Sequence, residues 1–193
     1  MPTDDRLLKL LAERSARRGQ FTLASGRKST LYIDARLTTM SPDGLALIGP
    51  LALSALDHTG WQIDAVGGLT LGADPISYAI SYASAQTAKP LRAFTVRKQP
   101  KVHGTGKLIE GPFHSGDHVV VIEDVITTGG SALLAVDAIR NAGGTVRGVL
   151  ALVDREEGGK EALNAAGISV IVLARATDIV ACLPISDEPN SVL

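Results

Sequence analysis

Cysteine is nearly absent from this chain. Its 193 residues include one, Cys182, so no internal disulfide can form, and the usage suits a reducing compartment. A lone thiol of this kind is expected to be a small buried hydrophobe. Aromatic residues make up only 4% of the chain, so Ala, Val, Ile and Leu must build the core; hydrophobic residues at 45% suffice for a sizeable one. An excess of either charge is missing too. A formal net charge of −1 provides no global attraction to nucleic acid, so any anion site must come from local clustering. No apolar run is long enough to span a bilayer. The start, Met1-Pro2-Thr3-Asp4-Asp5, lacks the basic-then-apolar pattern of a secretory signal. These absences lead to an expectation of a soluble, cytoplasmic protein without nucleic-acid or membrane partners. Its length fits a single domain spanning 1–193.

The residues that are present alternate in period. Leu7, Leu8, Leu10, Leu11 and Ala12 fall largely on one helical face, and Thr3 is a candidate N-cap, which predicts a helix near 4–18. Short strands are expected at 21–24 and 30–34. Ser41-Pro42 starts a helix, since the hydroxyl can cap and proline suits the first turn; that helix is expected to reach about His58. Strands are then predicted at 65–68, 91–96, 119–122, 145–153 and 168–173. Helices are predicted at 73–86, 130–141 and 160–166, with 98–111 as a loop. Alternating strand and helix imply an α/β fold, with a mostly parallel sheet and helices on both of its faces. The N-terminal helix and strand pair, about 1–40, are expected to form a small hood over a core of about 41–175.

One segment carries chemistry: Val119-Val120-Val121-Ile122-Glu123-Asp124-Val125-Ile126-Thr127-Thr128-Gly129-Gly130-Ser131. A β-branched run, as expected for a strand buried on both faces, feeds two carboxylates and then a hydroxyl- and glycine-rich turn into a helix. A helix N-terminus offers unpaired N–H groups and partial positive charge, which suits a phosphate. Gly129 and Gly130 let the backbone wrap closely, and Thr127, Thr128 and Ser131 add hydroxyl donors. No lysine follows the glycines, so this is not a P-loop, and G-x-G-x-x-G is absent. Two acids beside a phosphate cradle would repel the phosphate unless they bind something else. Vicinal hydroxyls and Mg²⁺ both fit. The pattern describes a ligand with a phosphate at one end and a diol in the middle.

That segment resembles the PRPP motif (PRPP is 5-phosphoribosyl 1-diphosphate) of the type I phosphoribosyltransferases. A second string, Arg97-Lys98-Gln99-Pro100-Lys101-Val102-His103-Gly104-Thr105-Gly106, resembles the flexible catalytic loop of the orotate phosphoribosyltransferase family. Residues 21–29 resemble that family's N-terminal substrate segment. Residues 67–74 stand where its pyrophosphate loop lies, and Asp154-Arg155 where it places an orotate-binding arginine. The resemblance covers roughly residues 5–175 and implies a type I phosphoribosyltransferase fold with the following roles. Glu123 and Asp124 hold the ribose hydroxyls, Asp124 counting also as catalytic. Val125, Ile126, Thr127, Thr128, Gly129, Gly130 and Ser131 cradle the 5-phosphate. Arg97, Lys98, Lys101 and His103 face the pyrophosphate, with Lys101 and His103 catalytic. Thr127 and Arg155 contact orotate. The family also implies Mg²⁺ carried mainly by PRPP, with no dedicated protein metal site, and a homodimer whose loop acts in trans. Two departures stand out: many members carry lysine where this chain has Ala24 and Leu71. A phosphoribosyltransferase for another base, or a PRPP-sensing regulator, remains as an alternative reading.

Overall fold

The computed structural model describes residues 3–22, 28–99 and 107–184. The first helix, α1 (Asp5–Arg14), is capped by Asp4, whose carboxylate accepts from the N–H groups of Arg6 and Leu7, and not by Thr3. It also stops earlier than its periodicity predicts. The Ser15 hydroxyl bonds to Thr38 at 2.7 Å, and from Ala16 the chain pairs as a strand. Strand β1 (Ala16–Thr22) and strand β2 (Lys28–Ile33) form an antiparallel two-stranded sheet of their own. A short helix, α2 (Arg36–Thr39), follows; nothing in the local pattern announced it. Helix α3 (Pro42–Asp57) begins as expected, with the Ser41 hydroxyl accepting from Gly44 N–H at 3.2 Å.

Strand β3 (Ala65–Leu69), helix α4 (Ala73–Ser84), strand β4 (Arg92–Val96) and a two-residue strand β5 (Ile109–Glu110) come next. Then follow β6 (His118–Ile126), α5 (Gly130–Asn141), β7 (Thr145–Asp154), α6 (Gly159–Ala165), β8 (Val170–Arg175) and α7 (Ala176–Ala181). Among the described residues the main sheet runs β5-β4-β3-β6-β7-β8, parallel except for β5. The expected α/β fold, a mostly parallel sheet flanked by helices, is what forms.

The sheet's two faces explain its sequence. Val66, Val120, Ile122, Leu150 and Leu152 point into a core closed by α1, α3, α4 and α7. Ala65, Val119, Val121, Val149 and Ala151 point into a second core under α5 and α6. A strand covered on both faces needs apolar residues at every position, which is why 119–122 reads as a continuous run. Burial of each such side chain contributes about 1.5–3 kcal/mol. Further differences from expectation concern three strands of the main sheet and the lone cysteine. β6 runs on through the acid pair to Ile126, because β7 stays paired with it as far as Asp154. β8 lies two residues later than predicted, in register with β7 from Val149. β5 forms inside the predicted loop by pairing with Thr95 and Val96. Cys182, the C-cap of α7, is exposed and not buried, since Ala176 and Ile179 carry that helix's inward face. Among the described residues no helix is long and apolar enough to cross a membrane.

Candidate active site

The strand order locates the cleft. From β3 the chain crosses to β4 on one side, while β6 lies on the other. Connections leave these neighbours in opposite directions, and a crevice opens at their carboxyl ends. A cleft of about 680 Å³ occupies that place. The β6–α5 turn supplies Thr127, Thr128 and Ser131, and the end of β6 supplies Glu123 and Asp124. The β3–α4 turn supplies Thr70, Leu71 and Gly72. Arg155 and Glu157 come from the β7–α6 turn, Asp34 from just after β2 and Arg36 from the start of α2. At the base of α5 a smaller concavity of about 40 Å³ is lined by 125–132 together with Glu123. Gly129 enters the helix with φ +83°, a left-handed conformation that favours glycine. Among the described residues no side chain caps α5, so its first N–H groups stay available to an anion.

The acid pair is held in an unfavourable state. Burial, and secondly the charge of Asp124, push the Glu123 carboxyl up to about 8, against a downward pull from Lys98. Among the described residues Glu123 Oε2 is buried with no hydrogen-bond partner. Burial also raises Asp124, opposed by the Val125 N–H at 2.9 Å and by the Arg36 charge. Arg36 is itself paired with Asp34 at 2.8 Å. The β3–α4 turn packs directly on Asp124: a Cβ on Gly72 would come within 2.5 Å of that carboxylate. The turn is tied down by Asp74, which accepts from Thr70 Oγ1 at 2.7 Å and Thr95 Oγ1 at 2.8 Å. Across the cleft Arg155 Nη2 meets Glu157 Oε1 at 2.9 Å, Leu31 O at 3.2 Å and Ser29 Oγ at 3.3 Å. An anion cradle, a buried acid pair and a guanidinium thus share one crevice.

No protein-family model matches the chain. An orotate phosphoribosyltransferase of Synechocystis sp. is 48% identical to it over 174 residues, which is 90% of this chain and 86% of the relative. One from Aquifex aeolicus is 43% identical, over 91% of this chain and 96% of the relative. The chain belongs to the orotate phosphoribosyltransferase family. Among solved structures, the Mycobacterium tuberculosis H37Rv orotate phosphoribosyltransferase in complex with PRPP matches with a TM-score of 0.75. It is 39% identical and covers 91% of this chain and 97% of that one.

Set against the residues that the orotate phosphoribosyltransferase resemblance nominated, the cleft gathers Lys98, Glu123, Asp124, Val125, Thr127, Thr128, Ser131 and Arg155. Ile126, Gly129 and Gly130 line the smaller concavity, where Ile126 can contribute backbone alone because its side chain is buried in the core beneath α5. Arg97 does not line the cleft. Its guanidinium turns toward Glu110 at 3.7 Å and the Gln99 carbonyl at 3.4 Å. Lys101 and His103 lie outside the described residues, as does Ala24. Sequence reasoning missed Asp34, Arg36 and Glu157 as cleft residues. Glu157 had a signal, since it stands two residues from Arg155; Asp34 and Arg36 had none, because only the docking of the small sheet brings them in.

The raised Glu123 pKa has a testable consequence. Below about 4.5 folded and unfolded states both hold the proton, so the group's contribution to stability is fully present. Between 4.5 and about 8 only the folded state holds it, and that contribution is lost as pH rises through about 8. Glu123→Gln removes the titration. Thermal unfolding followed across this range is expected to show the variant gaining on the wild type steadily from pH 4.5 to about 8. A constant difference would place the titration elsewhere.

Proposed function

We propose that the protein transfers ribose 5-phosphate from PRPP to orotate, giving orotidine 5-monophosphate and pyrophosphate, as a step of UMP biosynthesis. The observation that carries this reading is the meeting of cradle, acid pair and Arg155 in one switch-point cleft of about 680 Å³. The 5-phosphate sits on the α5 N-terminus, with the hydroxyls of Thr127, Thr128 and Ser131 around it. Glu123 and Asp124 accept from the ribose hydroxyls, which gives the buried Glu123 Oε2 a partner that it lacks among the described residues. Orotate N1 bonds to ribose C1, the C1–O bond to pyrophosphate breaks with its electron pair, and the N1 proton is released. Lys98, with Lys101 and His103 contributed from the loop, stabilises charge growing on the leaving group. Loop closure excludes water that would hydrolyse PRPP. Where Leu71 stands in place of lysine, the backbone N–H groups of Leu71 and Gly72 serve the pyrophosphate, since that of Thr70 is taken by the Val96 carbonyl at 2.8 Å.

Mg²⁺ fits this donor set. Among the described residues no group of three or more His, Cys, Asp or Glu could hold a metal. One or two carboxylates plus substrate oxygens are how Mg²⁺ is commonly bound, and Glu123 and Asp124 would supply the protein's share. When bound, the ion supplies charge neutralisation at the diphosphate.

The active form is proposed to be a homodimer with Lys101 and His103 acting across the interface. Supporting it are the exposed Leu71, Tyr78 and Tyr82 at 54%, 53% and 85%, the two tyrosines one turn apart on α4. A second copy would cover them. Lys98, at the loop's start, lines the cleft of its own chain. A cytoplasmic location is part of the same proposal.

The experiment that tests base recognition is Arg155→Ala assayed with orotate, uracil, adenine, guanine and xanthine. The guanidinium can grip a carboxylate through two hydrogen bonds. The orotate KM is expected to rise at least about tenfold, with the PRPP KM nearly unaltered. Loss of PRPP binding in a folded variant, or preference of the wild type for another base, would overturn the assignment.

A further inference from the structure

We propose that Glu157 is the cleft's own competitor for Arg155, a carboxylate that the substrate's carboxylate must displace. The inference rests on the reading of Arg155 as the group that holds orotate. A planar carboxylate docks on a guanidinium through one of two forks, Nη1 with Nη2 or Nε with Nη2, and both use Nη2. Nη2 has two protons and already faces three acceptors, Glu157 Oε1 at 2.9 Å, Leu31 O at 3.2 Å and Ser29 Oγ at 3.3 Å. Nε is buried and has no hydrogen-bond partner among the described residues, so its fork is closed from the cleft. The Nη1–Nη2 fork remains, and it opens when Glu157 withdraws.

Charge gives the same answer. The Arg155 and Glu157 side chains are 7% and 17% exposed, so water screens little between them and an incoming anion. A substrate carboxylate seated on Arg155 beside Glu157 makes a like-charge pair. The backbone around Glu157 shows what can move. Glu156 holds a left-handed conformation, φ +58°, and its carboxylate accepts from the Thr177 N–H at 2.9 Å, anchoring the turn to the start of α7. Gly158 follows at φ +91° with open space where a Cβ would stand. The main chain is pinned before Glu157, so its withdrawal from Arg155 is a change of side-chain rotamer. A base without a carboxylate cannot displace Glu157, so the ion pair acts as a filter for carboxylate-bearing bases.

The test is Glu157→Gln, titrated with two nucleotides that differ only in the carboxylate, orotidine 5-monophosphate and uridine 5-monophosphate. Glutamine keeps the shape and removes the competing charge. The Kd for orotidine 5-monophosphate and the KM for orotate are expected to fall about fivefold or more, while uridine 5-monophosphate and PRPP are unchanged. A raised orotate KM would mean that Glu157 orients Arg155 and does not compete for it. Equal changes for both nucleotides would mean a general structural effect; either result overturns the proposal. If Arg155→Ala leaves the orotate KM unchanged, the reading of Arg155 itself has failed, whatever Glu157 does. Should Glu157→Gln not fold, a crystal structure of the wild type with orotidine 5-monophosphate decides. Glu157 and Nη2 are expected to separate beyond about 4 Å, and an intact pair in that complex refutes competition.

Discussion

Asp124→Asn is expected to lower PRPP turnover at least about tenfold without lowering the melting temperature. The activity half follows from the role proposed for the carboxylate. Hydrogen bonds from ribose hydroxyls to a charged acceptor are worth about 1.5–3 kcal/mol each, and about 1.4 kcal/mol is a factor of ten. An amide keeps the shape but replaces one acceptor with a donor aimed at a donor. The stability half follows from burial. The folded-state pKa of Asp124 is raised, so its stabilising contribution is present below the unfolded value of 3.8 and lost as pH rises through the folded one. Ionising this buried carboxyl is therefore a cost to the fold, and asparagine does not incur it. The Val125 N–H still finds an oxygen in the amide. Steady-state kinetics and calorimetric unfolding check the two halves separately. Unchanged kinetics would remove Asp124 from the site, and a large drop in melting temperature would show that the carboxylate supports the fold.

Mixing two strongly impaired variants is expected to restore activity. Lys101→Ala removes a cation proposed to stabilise the departing pyrophosphate, a loss of about 10²-fold by analogy with removing one donor from a preorganised anion site. Asp124→Asn disables the ribose end. A heterodimer of the two carries both defects in one site and neither in the other if the loop acts in trans. Activity should then recover toward about half the wild-type value per heterodimer. If Lys101 acts in cis, each site keeps one defect and no activity returns. Subunit exchange is followed by mass spectrometry of differently tagged chains. Exchange without recovery, or a monomer by light scattering at working concentration, would sink the shared site. The outcome is informative because Lys98, three residues earlier, lines the cleft of its own chain.

Much of the site was written locally. The unbroken apolar run at 119–122, the acid pair after it and the hydroxyl- and glycine-rich entry to α5 sit in consecutive residues. Neighbour-to-neighbour rules of strand burial, helix capping and positive φ therefore suffice to read them. The same holds for the α3 start, where Ser41 and Pro42 act within one turn. What local pattern could not supply is how far pairing extends and which chain ends meet. β6 passes through Glu123 and Asp124 because β7, some thirty residues away, offers partners as far as Asp154. That continuation draws the acids into a desolvated cleft and raises their pKa values.

The tertiary structure also decided direction. Arg97 and Lys98 are adjacent and both basic, yet one turns to Glu110 at the sheet edge and the other to the cleft. The reason is β5, which pairs with β4 and places Glu110 opposite Thr95, a contact no window of sequence contains. Asp34 and Arg36 reach Asp124 only because the small sheet docks beside the main one. By itself, then, the sequence described a ligand with a phosphate and a diol, since contiguous residue types point to each, while an anionic base was implied only by the family resemblance at Arg155. The order of six strands determined where those recognitions converge and at what electrostatic cost, since non-local pairing alone brings β3, β6 and β7 to a common edge.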